Sequence, residues 1–316
     1  NLEPKPLYVG ERTNANGSKK FKDLLSANDY DGLVQIAKEQ QKEGAHILDV
    51  CVAYVSRNEV ADMEEYLKRL VTQINLPIMI DSTEVPVIEK ALQLTPGKCV
   101  INSINFEDGE EKARKILDLC KEFGASVVAL TIDEDGMAKT CAKKVEITKR
   151  LVHLFVNEYK LNIENLIIDP LTFTVGSGDE EFRNSAIETL DAIAEIKKTF
   201  PGIKTILGLS NVSFGLSPFI RQMLNSMMLY HAVKNGLDMA ILNAAKIIPV
   251  AKISEEDRIL FEDLIFNRRT EERDPLKVIL AKFTNVTASD KKESKRDNLS
   301  IEEKLKADII DGEKKL

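Results

Sequence analysis

Short, largely apolar runs alternate with longer amphipathic ones along this chain, and the alternation repeats eight times. The apolar runs are Leu7–Gly10, His46–Val50, Ile78–Ile80, Cys99–Ile101, Val127–Thr131, Leu166–Ile168, Thr205–Leu209 and Met239–Leu242. Runs this short and this apolar read as strands covered on both faces, the condition of strands in a parallel sheet. Between them the spacing predicts helices near 32–43, 62–73, 110–123, 145–158, 180–199, 219–234 and 255–266, with another opened by Pro86. In the 110–123 segment, Ala113, Ile116, Leu117 and Cys120 fall on one stripe. Gly44, Gly124 and Gly236 each close a helix just ahead of a strand. Eight such units most economically close into an α/β fold of the (β/α)8 TIM-barrel type; an open doubly wound sheet is the alternative.

The texture changes after Arg268-Arg269. Residues 1–269 read as the barrel. Residues 270–316 read as a charged linker with a helical extension: a short helix over 276–283, then Ser300-Ile301-Glu302-Glu303 as a capping box ahead of a helix over 301–310. This tail cannot bury a core of its own, so it is expected to be a docking arm or the start of a following domain. The opening Asn1-Leu2-Glu3-Pro4-Lys5-Pro6 reads as a linker, and the chain as part of a longer protein.

Composition narrows the classes. A chain of 316 residues, 43% hydrophobic and 30% charged, has enough apolar surface for a large core. A net charge of −7 disfavours nucleic acid or an anionic membrane as the main partner. No apolar stretch reaches the roughly 20 residues of a membrane span. Cys51, Cys99, Cys120 and Cys141 form no CxxC pair and read as buried reduced thiols of a cytoplasmic protein. His46, His153 and His231 lack ligand spacing, so no metal site is expected.

The candidate chemistry lies at the strand ends, which in a barrel of parallel strands meet at one mouth. They carry Glu11 and Asn14 (in Gly10-Glu11-Arg12-Thr13-Asn14), Asp81, Asn102, Asp169, and Ser210-Asn211, with Asp49 and Asn243 at two further ends. Two acids there could form an acid/base pair, a magnesium site, or acceptors for a guanidine-like edge; either alone could simply cap a helix. Amides at Asn102 and Asn211 add both a donor and an acceptor. An Asp-Asn-Asp set suits a flat aminopyrimidinone, accepting from its N–H and NH2 groups and donating to its carbonyl.

Taken in order, Gly10-Glu11-Arg12-Thr13-Asn14, Ile80-Asp81-Ser82, Ile101-Asn102-Ser103, Asp169-Pro170-Leu171 and Gly208-Leu209-Ser210-Asn211-Val212-Ser213-Phe214-Gly215 resemble the pterin-binding methyltransferase family. Its members are the folate domain of cobalamin-dependent methionine synthase and free-standing methyltetrahydrofolate–corrinoid protein methyltransferases. The resemblance covers roughly residues 5–269. It extends into the tail, where Ile301-Glu302-Glu303-Lys304-Leu305-Lys306 and Ile309-Ile310-Asp311-Gly312-Glu313 look like the lead into a cobalamin-binding module. It implies transfer of the N5 methyl of 5-methyltetrahydrofolate to cob(I)alamin carried by another domain or a corrinoid protein. By resemblance, Asp81, Asn102 and Asp169 hold the pterin, Asn211 hydrogen-bonds N5 and is the catalytic residue, and Glu11 and Asn14 lie nearby. Asp49, Ser210, Arg221 and Asn243 are lesser candidates, Arg221 with Lys19-Lys20 for the folate's glutamate tail. A sister family on the same fold, dihydropteroate synthase, is expected to carry Ser-Arg-Lys on the seventh strand and Arg-x-His on the last. This chain has Ser210-Asn211-Val212-Ser213 and Ile241-Leu242-Asn243 there, which argues against that synthase.

Overall fold

The computed structural model of the protein describes residues 6–284; the helix expected over 301–310 lies outside the described residues. Eight parallel strands, β1 (Leu7–Gly10), β2 (Ile47–Val50), β3 (Ile78–Asp81), β4 (Val100–Ile104), β5 (Ser126–Leu130), β6 (Leu166–Asp169), β7 (Lys204–Gly208) and β8 (Met239–Leu242), close into a barrel in sequence order, β8 pairing back onto β1. The (β/α)8 barrel read from the chain is therefore the fold. Each apolar run became a strand with ends within three residues of those read, since strands buried on both faces stand out as continuous apolar runs.

The helices are α1 (Lys19–Ser26), α2 (Tyr30–Lys42), α3 (Glu59–Leu70), α4 (Val85–Leu94), α5 (Glu111–Phe123), α6 (Cys141–Val152), α7 (Ser185–Thr199), α8 (Pro218–Lys234), α9 (Glu255–Ile265) and α10 (Pro275–Phe283). Their ends follow local chemistry. Asn58 caps α3 through the Ala61 N–H, Thr140 caps α6, and Asp274 followed by Pro275 opens α10. Gly124 ends α5 in the left-handed region at φ 68°, where a side chain would be strained. Two features were not read from the sequence: α1, whose apolar stripe is only Phe21, Leu24 and Leu25, and a hairpin of Ile132–Asp133 with Gly136–Met137 between β5 and α6.

The inside of the barrel holds one ring of eight side chains, one per strand: Val9, Ile47, Met79, Val100, Val128, Ile167, Ile206 and Met239. Outside it, the helices bury a second apolar layer against the strands. The expected helix over 276–283 forms as α10, and its Leu276, Ile279 and Phe283 are buried in that layer beside α8 and α9. Met223, Met227 and Met228 are core residues. All four cysteines are free, three of them buried. Among the described residues, no helix is long and apolar enough to cross a membrane, and no group of His, Cys, Asp and Glu could hold a metal ion.

Candidate active site

Strand periodicity places the site. Side chains two residues apart share a face of a strand. Two residues beyond the inner ring, counting toward the carboxyl ends, stand Asp49, Asp81, Asn102, Leu130, Asp169, Gly208 and Ile241. The ring thus becomes the floor of a bowl whose wall is polar at β2, β3, β4 and β6, and small or apolar at β5, β7 and β8. Asp81 and Asn102 are register partners across β3 and β4.

Asn14 ties the polar wall together. Its Nδ2 donates to Asp49 Oδ2 at 2.7 Å and to Asp81 Oδ2 at 2.6 Å, while its Oδ1 accepts the Asn16 N–H at 2.9 Å. Asn102 Nδ2 approaches Asp49 Oδ1 at 3.5 Å. Asp49, a lesser candidate in the sequence, is thus the hub between the two amides. Burial, then the neighbouring Asp81 charge, raises the Asp49 carboxyl well above its ordinary range; the two amides oppose this. Burial also raises Asp81, against the Asn14 hydrogen bond. Two carboxyls joined through one amide resist ionising together.

That resistance has a stability consequence. A carboxyl whose pKa is raised on folding favours the native state while it is protonated. The contribution fades as pH rises from the ordinary carboxylate pKa of about 3.9 toward the raised value. Asp49→Asn removes this titration, so the variant should gain on the unaltered protein as pH rises. The expected difference in Tm grows by about 2–4 °C between pH 5 and pH 8, corresponding to about 1 kcal/mol in a domain this large. A Tm difference that is the same at every pH would contradict the raised pKa.

Asp169 closes the opposite side of the polar wall. It is 7% exposed, its Oδ1 accepts the Leu171 N–H at 2.8 Å, and burial pushes its carboxyl up to about 6. Backbone N–H groups of Leu171 and Gly208 and the charge of Lys144 hold it from going higher. Lys144, on α6, is fully buried, and its ammonium donates to the carbonyl oxygens of Pro170 and Leu171. In the sequence, Lys143-Lys144 resembles a solvated pair. Helical phase was the available signal, since Lys144, Ile147, Thr148 and Leu151 lie on one stripe and all are buried.

Asn211 stands apart from this wall. It lies in the turn Leu209–Ser213 directly after β7, is exposed, and its amide has no hydrogen-bond partner among the described residues. Gly208 makes room for it: a Cβ there would meet Asn211 Nδ2 at 3.0 Å. Ser210 Oγ donates to Glu11 Oε2 at 3.1 Å, linking the ends of β7 and β1. Burial raises the Glu11 carboxyl, offset by Ser210, Arg221, Lys246 and Arg12. Arg221 donates to Ser213 Oγ and to the Ser210 carbonyl, both at 3.3 Å, and so braces the turn that carries Asn211. Asn243 caps the short turn after β8 through the Ala245 N–H at 3.2 Å. Lys20 pairs with Glu39. The Gly176-Ser177-Gly178 segment is fastened to the same β7–α8 loop, Val175 N donating to Val212 O at 3.0 Å and Thr174 Oγ1 to Phe214 O at 2.8 Å.

The mouth of the barrel thus carries carboxyls at Asp49, Asp81 and Asp169, engaged amides at Asn14 and Asn102, and one unengaged amide at Asn211. The family described as pterin binding enzyme matches residues 10–243, and the chain belongs to that family. Two curated relatives are both named methionine synthase, one from Mycobacterium leprae (strain TN) and one from Mycobacterium tuberculosis (strain ATCC 25618 / H37Rv). Each is 47% identical to this chain, over 318 and 314 residues. The alignments cover 99% and 98% of this chain and 26% of each relative, so the chain spans about a quarter of their length. Among solved structures, dihydropteroate synthase from Xanthomonas albilineans in complex with 7,8-dihydropteroate superposes with a TM-score of 0.56 at 15% identity, over 83% of this chain and 94% of that one. The Yersinia pestis enzyme with a sulfonamide drug complex gives 0.55 at 11%, over 81% and 93%. At such identities these two likenesses show the fold alone.

Proposed function

We propose that this chain binds 5-methyltetrahydrofolate and presents its N5 methyl group to cob(I)alamin carried on another domain, as the folate module of a methionine synthase. The observation that carries this reading is the make-up of the mouth: carboxylates and amides from β1 to β4 and β6, and directly after β7 a lone uncommitted amide, Asn211. The wall offers acceptors to the N–H and NH2 groups of a reduced pterin. In the absence of such donors, Asp49 and Asp81 must share protons and the single Asn14 amide; a ligand with several N–H groups relieves that conflict. In this reading Asn211 hydrogen-bonds N5.

The chemical difficulty is the leaving group. A tertiary amine departs poorly unless charge at N5 is neutralised as its bond to the methyl breaks. The corrin, when bound, supplies the nucleophile. The chain's own residues supply position and electrostatics. An amide is not a strong acid, so Asn211 is assigned orientation and stabilisation at N5, and solvent supplies the proton. The turn that bears it is fixed by Arg221 and by the Ser210–Glu11 bond, so little reorganisation is needed during reaction.

The rim supports a protein-borne acceptor. Val55 (83% exposed) and Tyr54 lie on the β2–α3 loop, Met137 (55%) on the β5–α6 hairpin and Phe214 (69%) on the β7–α8 loop, all at the carboxyl ends of strands. Large apolar side chains left in water around one mouth suit transient contact with a partner domain. The double variant Val55→Ser/Phe214→Ser should leave folate affinity within about 2-fold. It should raise the concentration of a cobalamin-carrying domain needed for half-maximal transfer by about tenfold, the effect of losing roughly 1–2 kcal/mol of apolar contact. An unchanged half-saturation would remove the rim from the partner interface.

The direct test mixes the protein with 5-methyltetrahydrofolate and free cob(I)alamin and follows methylcobalamin spectroscopically. Formation that needs both protein and folate supports the reading; binding of the folate without any transfer would leave a binding module in its place. Condensation of pterin pyrophosphate with p-aminobenzoate is not expected, because Asn211 and Asn243 stand at the ends of β7 and β8 where that synthase is expected to carry Lys and His.

A further inference from the structure

Lys144 is a cation buried for a reason that the overall fold does not supply. Its neighbour Lys143 reaches outward to Asp133 at 2.8 Å, as a lysine on a helix surface ordinarily does. Lys144 instead turns inward and is 0% exposed, with its ammonium against the carbonyl oxygens of Pro170 and, at 3.1 Å, Leu171, and above the Phe173 ring at 5.4 Å. It makes no direct ion pair among the described residues. Burying an ammonium this way is costly, so the contacts it makes must matter.

Those contacts converge on one turn. Leu171 has φ 59°, the left-handed region that a leucine enters only under strain. Its carbonyl is held from two sides, by Lys144 Nζ and by Thr189 Oγ1 at 2.8 Å. This conformation directs the Leu171 N–H back onto Asp169 Oδ1. We propose that Lys144 is a positioning residue for Asp169: from beneath the β6–α7 loop its ammonium fixes the Asp169-Pro170-Leu171 turn and sets a positive charge behind the carboxylate that meets the ligand. The inference rests on the reading of Asp169 as an acceptor for the pterin.

The titratable groups that face Lys144 are Asp169 from β6, Glu188 from α7 and the Cys141 thiol from its own helix. Burial lowers the lysine to about 8, and Asp169 and Glu188 hold it from falling further, so it is charged at neutral pH. In return it draws down the Asp169 carboxyl, which burial lifts to about 6. Loss of the lysine charge should therefore raise the Asp169 pKa and leave less carboxylate at pH 7.

The test measures the affinity for 5-methyltetrahydrofolate by calorimetry between pH 5.5 and 8.5. In Lys144→Met the affinity at pH 7 should fall about twofold or more. Its acid limb should move up by at least one pH unit, and the affinity should approach that of the unaltered protein near pH 8.5. Lys144→Gln, whose amide keeps a bond to a carbonyl but has no charge, should show the same displaced limb and stands in if the Met variant does not fold. Lys144→Arg should keep the limb in place. In an Asp169→Asn background, Lys144→Gln should move no limb. A loss of equal size at every pH would overturn the proposal and leave Lys144 a structural brace. Unchanged affinity in Asp169→Asn alone is a different outcome, and it would defeat the pterin reading itself.

Discussion

Asn211→Ala should slow methyl transfer by about 100-fold at saturating folate while changing the Kd for 5-methyltetrahydrofolate by no more than about 3-fold. The asymmetry follows from where charge changes. In the bound ground state N5 is a weak hydrogen-bond partner among the several that the pterin makes, and the polar wall from Asn14 to Asp169 supplies most of the hold. As the methyl departs, N5 gains electron density and must be protonated or hydrogen-bonded, so an amide fixed beside it is worth more in the transition state than before it. Removing one preorganised donor from such a position costs about 100- to 1000-fold in other enzymes. The side chain's freedom from protein hydrogen bonds means that truncation leaves no buried partner behind, and its exposed turn is braced independently by Arg221. Single-turnover transfer to cob(I)alamin, with Kd measured separately by calorimetry, checks this. Equal losses in rate and affinity would show that Asn211 binds the folate uniformly and has no special part in the chemistry.

Asp169→Asn should do the reverse. Its Oδ1 is already engaged by the Leu171 N–H, so an asparagine can keep that bond and turn its NH2 into the bowl. A donor then faces the donors of the pterin. Loss of a charge-assisted hydrogen bond costs about 1.5–3 kcal/mol, so the Kd for 5-methyltetrahydrofolate should rise roughly 10- to 100-fold. The rate at saturating folate should change little. Because the substitution is isosteric and keeps the turn, circular dichroism and Tm should remain close to those of the unaltered protein, which separates lost recognition from lost fold. A Kd that stays the same would remove Asp169 from the binding site.

Much of the candidate site was legible in the chain because strand ends in a parallel barrel have a known destination. Once Ile78–Asp81 or Leu166–Asp169 is recognised as a strand, its last residue lies at the mouth, and a period of two decides whether it faces the bowl. Asp81, Asn102 and Asp169 follow from this rule, and so does Asp49, two residues after the inner-ring Ile47. What the rule does not carry is mutual contact. The bridge from Asn14 to Asp49 and Asp81 joins residues 35 and 67 positions apart, and no local pattern announces it. Arg221 reads as a surface charge until the fold brings it against the Ser210 carbonyl.

The eight strands, nearly all of the helices and the order of polar residues around the mouth were legible in the chain, since these depend on hydrophobic periodicity, caps and breakers within a few residues of each other. Closure of the barrel settles which carboxyl shares its surroundings with which amide, which of two adjacent lysines is buried, and which asparagine keeps an unengaged amide. Hydrogen bonds and pKa values at such a site are set by groups brought together across the barrel, so the geometry of closure, rather than the identity of any single residue, gives Asp49, Lys144 and Asn211 their different surroundings.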